Sequence, residues 1–141
     1  MGMGMGMGMG MGMAEGMAED VAASARQLAA GVGVEVAAVA PIRGGLAGPL
    51  LLVAAGSRNA VPISPASVFR ALLSLRADAA VLVHLHLRDV GPSPADLAVT
   101  RRLVAAGVLL GIPLLAHLVI EPSGWTDCLA ETALRHPHHP Q

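Results

Sequence analysis

The chain has 141 residues, enough for one domain with a real core. Its formal net charge is −1, which excludes the electrostatic footprint of a nucleic-acid binder. Hydrophobic residues make up 54%, much of it alanine; Phe69 and Trp125 are the only aromatic side chains, and the single Cys128 excludes an internal disulfide.

Residues Met1 to Met13 alternate methionine and glycine. Glycine at every second position makes an ordered element costly, so residues 1–13 read as a disordered leader. A thioether site for a soft metal is the other reading. Residues 14–134 read as one domain, and 135–141 as a disordered His/Pro tail that could also pick up metal.

From Ala14 to Ala30 the spacing of Val21, Ala25, Leu28 and Ala29 predicts a helix, stopped by Gly31 and Gly33. Val32 to Ala40 reads as a strand ended by Pro41. Glu35 lies within it among valines, where a carboxylate is rare; it either has a task there or points to solvent. Turn residues Gly44, Gly45, Gly48 and Pro49 lead to a second strand, Leu50 to Ala55, so a hairpin is expected. Gly56 to Pro62 is a loop. Ser64-Pro65 opens a helix to about Leu75, with Val68, Phe69, Leu72 and Leu73 on its buried face.

Ala79 to Val83 is an apolar, β-branched run that reads as a buried strand, and His84-Leu85-His86 closes it. Side chains alternate on a strand, so His84 and His86 share a face. Two imidazoles there are half of a metal site, and Asp96 offers a carboxylate one loop later. Such a set leaves the fourth position of a tetrahedral zinc open for water. Ser93-Pro94-Ala95-Asp96 is also a good helix start, with Ser93 as cap and Asp96 at the third position. Capping accounts for Ser93 and Asp96 but leaves two buried imidazoles without partners.

The helix after Ser93 runs to Ala106 or Leu110, with Leu97, Val104 and Val108 toward the core and Arg101 and Arg102 solvated. Leu114 to Ile120 is a strand, Glu121 to Gly124 a turn, and Trp125 to Leu129 a last strand. Leu103 to Ile120 carries no charge and approaches a membrane span in length. Gly107, Gly111 and Pro113 break it, and His117 would sit unpaired in lipid, so a helix followed by a buried strand is expected instead. Cys128 reads as a small core residue rather than a nucleophile. One cysteine also fits a reducing, cytoplasmic compartment.

Residues Glu35 to Ile120 resemble the JAMM (MPN-type, JAB) domain of the RadC family. That family's G-[ST]-x-N matches Gly56-Ser57-Arg58-Asn59, and its proline-led V-F-R helix matches Pro65, Val68, Phe69 and Arg70. Its two-histidine strand, led by paired alanines, matches Ala79, Ala80, His84 and His86. P-S-x-x-D-x-x-x-T-R-R-L is found at Pro92, Ser93, Asp96, Thr100, Arg101, Arg102 and Leu103. A-G-x-L-L-G-I runs from Ala106 to Ile112, and H-L-x-I from His117 to Ile120. Glu35 falls within about one residue of the family's strand glutamate, counted back from the glycine-led loop. The chain departs from the pattern in three places. Leu85 replaces an asparagine, Ala116 replaces an acid, and Leu87 to Pro92 puts six residues where the family has seven. The helix-hairpin-helix region that often precedes this domain is not expected within these residues, which leaves a repair role without its DNA-binding part.

The resemblance implies an α/β fold of cytidine-deaminase-like architecture: a mixed β-sheet with an N-terminal hairpin, flanked by helices. It implies a zinc-dependent hydrolase of peptide or isopeptide bonds in a peptide or protein substrate. His84, His86 and Asp96 would hold zinc, Glu35 would be the general base, and Ser93 would stabilise the oxyanion. The alternatives are a JAMM-fold interaction module without catalysis and a RadC-like protein associated with DNA repair. No nucleic-acid surface and no membrane segment is expected.

Overall fold

The computed structural model describes residues 15–56 and 63–130. The expected leader, most of the loop after Gly56 and the His/Pro tail lie outside them. The elements run α1 (Glu15–Leu28), β1 (Glu35–Arg43), β2 (Leu46–Ala47), β3 (Leu51–Gly56), α2 (Pro65–Ser74), β4 (Ala79–Leu85), α3 (Pro94–Leu110), β5 (Leu114–Glu121) and β6 (Gly124–Asp127). The sheet is mixed, in the order β2-β1-β4-β5-β6, with β3 also paired to β1. β1 is antiparallel to β2, β3 and β4, β4 is parallel to β5, and β6 returns antiparallel to β5. The α/β class and the N-terminal hairpin are as expected from the sequence.

Alternation along β4 sorts the core into two layers. Ala79, Val81, Val83 and Leu85 pack toward α1 with Val21, Ala22 and Ala25. Ala80 and Leu82 pack on the other face with Phe69 and Leu72 of α2 and Leu103 of α3. All seven residues of β4 are buried, so helices cover both faces. Each fully buried leucine, such as Leu72, Leu82 or Leu103, contributes on the order of 1.5–3 kcal/mol. His84 has the same parity as Leu82, so it points toward the α2 and α3 side.

Several boundaries differ from the sequence reading. β1 does not end at Pro41 but runs through it to Arg43. The Pro41 carbonyl accepts from Gly48 N at 2.7 Å. A strand residue's nitrogen faces the same side as its carbonyl. The missing N–H therefore falls between the β3 pairing, which ends at Val39, and the β2 pairing, which starts at Ile42, where no ladder donor is required. The strand also starts later, at Glu35, because Val32 and Val34 are exposed. Leu73 and Val108 face solvent rather than the core. The buried stripe of α2 is Val68, Phe69 and Leu72, and that of α3 passes through Asp96, Leu97, Thr100, Leu103 and Gly107. At about 100° per residue, Leu73 and Val108 rotate out of those stripes. β6 stops at Asp127 because its Oδ1 accepts from Leu129 N at 3.0 Å and starts a helical turn. The apolar run from Leu103 to Ile120 is divided at Gly111, which adopts φ 74°. Among the described residues no helix is long and apolar enough to cross a membrane.

Candidate metal centre

Strand register brings the first two elements of the site together. Ala37 lies opposite His84 and Val36 opposite Leu85, so Glu35 continues toward His86 on the same face. β4 ends at Leu85, but His86 N still donates to Ile120 O at 2.9 Å, which carries the alternation one residue further. The third element is the start of α3. The Ser93 hydroxyl accepts from Asp96 N at 3.1 Å, and Asp96 Oδ2 accepts from Ser93 N at 2.8 Å. This capping box fixes the direction of the Asp96 carboxylate.

The side chains converge in a buried cluster. Glu35, His84 and Asp96 are 8%, 5% and 5% exposed. His84 Nδ1 donates to Asp96 Oδ1 at 2.9 Å, and His84 Nε2 lies 3.3 Å from Glu35 Oε1. His86 Nε2 lies 3.3 Å from Asp96 Oδ2, and its Nδ1 donates to Glu121 Oε2 at 2.8 Å. The two imidazole rings meet edge to face with centroids 4.8 Å apart. Ligand atoms of Glu35, His84 and His86 all lie within 4.8 Å of one another, so the cluster could hold a metal ion. Asp96 touches both rings. Glu35 does not point to solvent, and Asp96 caps its helix while its carboxylate faces the histidines.

The charges are strongly coupled. The hydrogen bond to Asp96 raises His86 to about 9; burial opposes it and Glu121 adds to it. Burial works to raise the Asp96 carboxyl, but the imidazoles of His84 and His86 and the Ser93 N–H outweigh it and hold the acid well below the usual carboxylate range. Beneath the site, Thr100 Oγ1 donates to Asp96 O at 2.9 Å and lies 2.6 Å from His117 Nδ1. A hydroxyl has one proton to give. His117 Nδ1 therefore donates to Thr100, and burial, aided by His84, lowers His117 to about 4.

The sequence reading missed Glu121 and the Thr100–His117 pair. Glu121 looks like a turn residue beside Pro122, and only its place as the acid ending an apolar strand hints at more. Thr100 and His117 lie in motifs already noted, but nothing local pairs them.

Residues 51–133 match the family described as RadC-like JAB domain. The chain belongs to that family. The match takes in His84, His86, Ser93 and Asp96 and begins after Glu35, which the fold delivers from β1. The JAB domain is also similar to UPF0758 proteins. It is 41% identical to that of Shouchella clausii over 66 residues, covering 46% of this chain and 29% of the relative. It is 40% identical to that of Symbiobacterium thermophilum over 76 residues, covering 53% and 32%. With the Moorella thermoacetica protein it shares 43% over 76 residues, covering 53% and 33%. The chain thus spans about a third of the length of these relatives.

The residues present fit a metal of the kind a JAB domain implies. His84 Nε2 is buried and has no hydrogen-bond partner among the described residues. In the neutral ring that already donates from Nδ1, Nε2 carries a lone pair. That lone pair lies 3.3 Å from Glu35 Oε1, and a cation bound at Nε2 would satisfy it with Glu35 close by. Imidazole and carboxylate donors together suit a divalent metal ion.

Proposed function

We propose that this JAB domain is a zinc-dependent hydrolase acting on peptide or isopeptide bonds of a peptide or protein substrate in the cytoplasm. The observation that carries the proposal is the convergence of Glu35, His84, His86 and Asp96 in one buried cluster, in which His84 Nε2 is left without a hydrogen-bond partner. His84, His86 and Asp96 are the zinc ligands in this reading. A zinc ion held there supplies Lewis-acid activation of water at neutral pH.

The chain's own residues do the rest. Glu35 accepts a proton from the attacking water and passes it to the leaving amine. Its burial beside His84 keeps it within reach of the reacting atoms rather than in bulk water. Ser93 Oγ accepts from Asp96 N, which leaves its own proton free to donate. That proton stabilises the carbonyl oxygen that gains charge in the tetrahedral intermediate.

The test is cleavage of a peptide library and of isopeptide-linked substrates by zinc-loaded protein. Cleavage lost on adding a chelator and restored by zinc is the expected result. A protein that binds zinc at His84 and cleaves none of them is an interaction module instead.

A further inference from the structure

Glu121 ends β5, which lies parallel to β4 with Ile120 beside Leu85, so the next residue of each strand, Glu121 and His86, come side by side. The Glu121 side chain is only 13% exposed. One oxygen, Oε2, receives three N–H groups: His86 Nδ1 at 2.8 Å, Val90 N at 3.1 Å and Gly91 N at 2.7 Å. Three donors on one oxygen call for a full negative charge, and such bonds are the stronger kind. A surface acid closing a strand would show none of this.

The three donors belong to two different parts of the site. His86 is an imidazole of the centre. Val90 and Gly91 lie in the six-residue loop from Leu87 to Pro92, which leads into the Ser93–Asp96 cap. A second tie, Ser123 N to Asp89 Oδ1 at 3.0 Å, pins the same loop without touching an imidazole.

We infer that Glu121 is the positioning residue of the metal centre. It holds the proton of His86 on Nδ1, which turns Nε2 toward Asp96. It also seats the short loop so that the Ser93–Asp96 cap returns to the centre with Asp96 facing the imidazoles. The inference rests on the reading of this cluster as a zinc site. Partners of this kind on a metal-binding histidine fix the ring and raise its basicity, and losing one typically weakens metal binding about 10–100-fold.

The test measures zinc affinity of the full chain by competition with a chromogenic chelator, and amide exchange at Val90 and Gly91 in the metal-free protein. Glu121→Ala should weaken zinc binding by about 10–100-fold and speed exchange at both amides. Glu121→Gln should fall between, since its carbonyl oxygen still accepts from His86 but lacks the charge. Asp89→Ala removes only the Ser123 tie to the loop and leaves the His86 bond to Glu121 in place, so it should weaken zinc binding by less than Glu121→Ala does. Zinc binding as tight as wild type in Glu121→Ala overturns the inference, even with a lower thermal midpoint, because that is a structural role only. If Glu121→Ala fails to fold, Glu121→Gln decides by the same comparison. Wild-type protein that takes up no zinc, or His84→Ala binding it equally well, overturns the zinc-site reading itself and is recognised separately.

Discussion

Glu35 Oε1 sits 3.3 Å from His84 Nε2, although β1 and β4 are separated in the chain by a hairpin and a helix. The antiparallel register is what joins them. Glu35→Gln keeps the shape of the side chain but cannot accept the proton. Turnover on any zinc-dependent substrate should drop by about 10² to 10⁴, the usual contribution of a general base. Zinc content, measured by elemental analysis, should be nearly unchanged. Full turnover in the variant contradicts the assignment; a variant that loses its zinc would make Glu35 a ligand.

Ser93→Ala removes the cap of α3 and the proposed oxyanion donor together. Loss of the cap should cost about 0.5–2 kcal/mol in urea unfolding. Loss of the donor should lower kcat by about 10² to 10³ beyond what the fold loss explains. A variant with the lower stability but full kcat would leave Ser93 as a cap alone.

His117 makes the metal-free fold sensitive to acid. Burial lowers it to about 4, with His84 and His86 also lowering it and Asp96 raising it. In the unfolded chain an ordinary histidine titrates near about 6.5. Between those values the unfolded state binds the extra proton. Stability should therefore fall as pH drops from about 6.5 to 4, by up to about 3 kcal/mol. Urea midpoints of wild type and His117→Gln across that range read the effect. The variant should lose most of the slope; parallel slopes would show that His117 is not its source.

Gly107 lies where α3 turns back under the sheet. A Cβ there would sit 2.5 Å from Ile112 O. Alanine ordinarily gains about 1 kcal/mol over glycine within a helix. Here overpacking against backbone, on the order of 1–3 kcal/mol, should win. Gly107→Ala should lower the urea midpoint, and a higher midpoint would mean that the Ile112 turn yields easily.

The histidine pair was legible because one short alternating strand carries it, and Asp96 because a local helix start places it. The layers followed from periodicity in the same way. Glu35 was legible as a misplaced acid, but its direction depended on the β1–β4 register, which no local pattern states. Glu121 was barely legible, as an acid ending an apolar strand. Its partners His86, Val90 and Gly91 are reached through the parallel β4–β5 pairing and a loop closure. Pro41 misled because the local rule for proline in strands ignores which edge lacks a partner.

The most direct test of the centre is zinc stoichiometry. The chain should be purified with His136, His138 and His139 replaced by alanine, so that the tail supplies no ligands. The protein with His84 intact should carry about one zinc ion per chain, as an open site of two imidazoles and a carboxylate requires. His84→Ala in the same background should carry almost none. A protein with His84 intact that stays zinc-free when titrated, or a His84→Ala variant that binds zinc equally, would contradict the account.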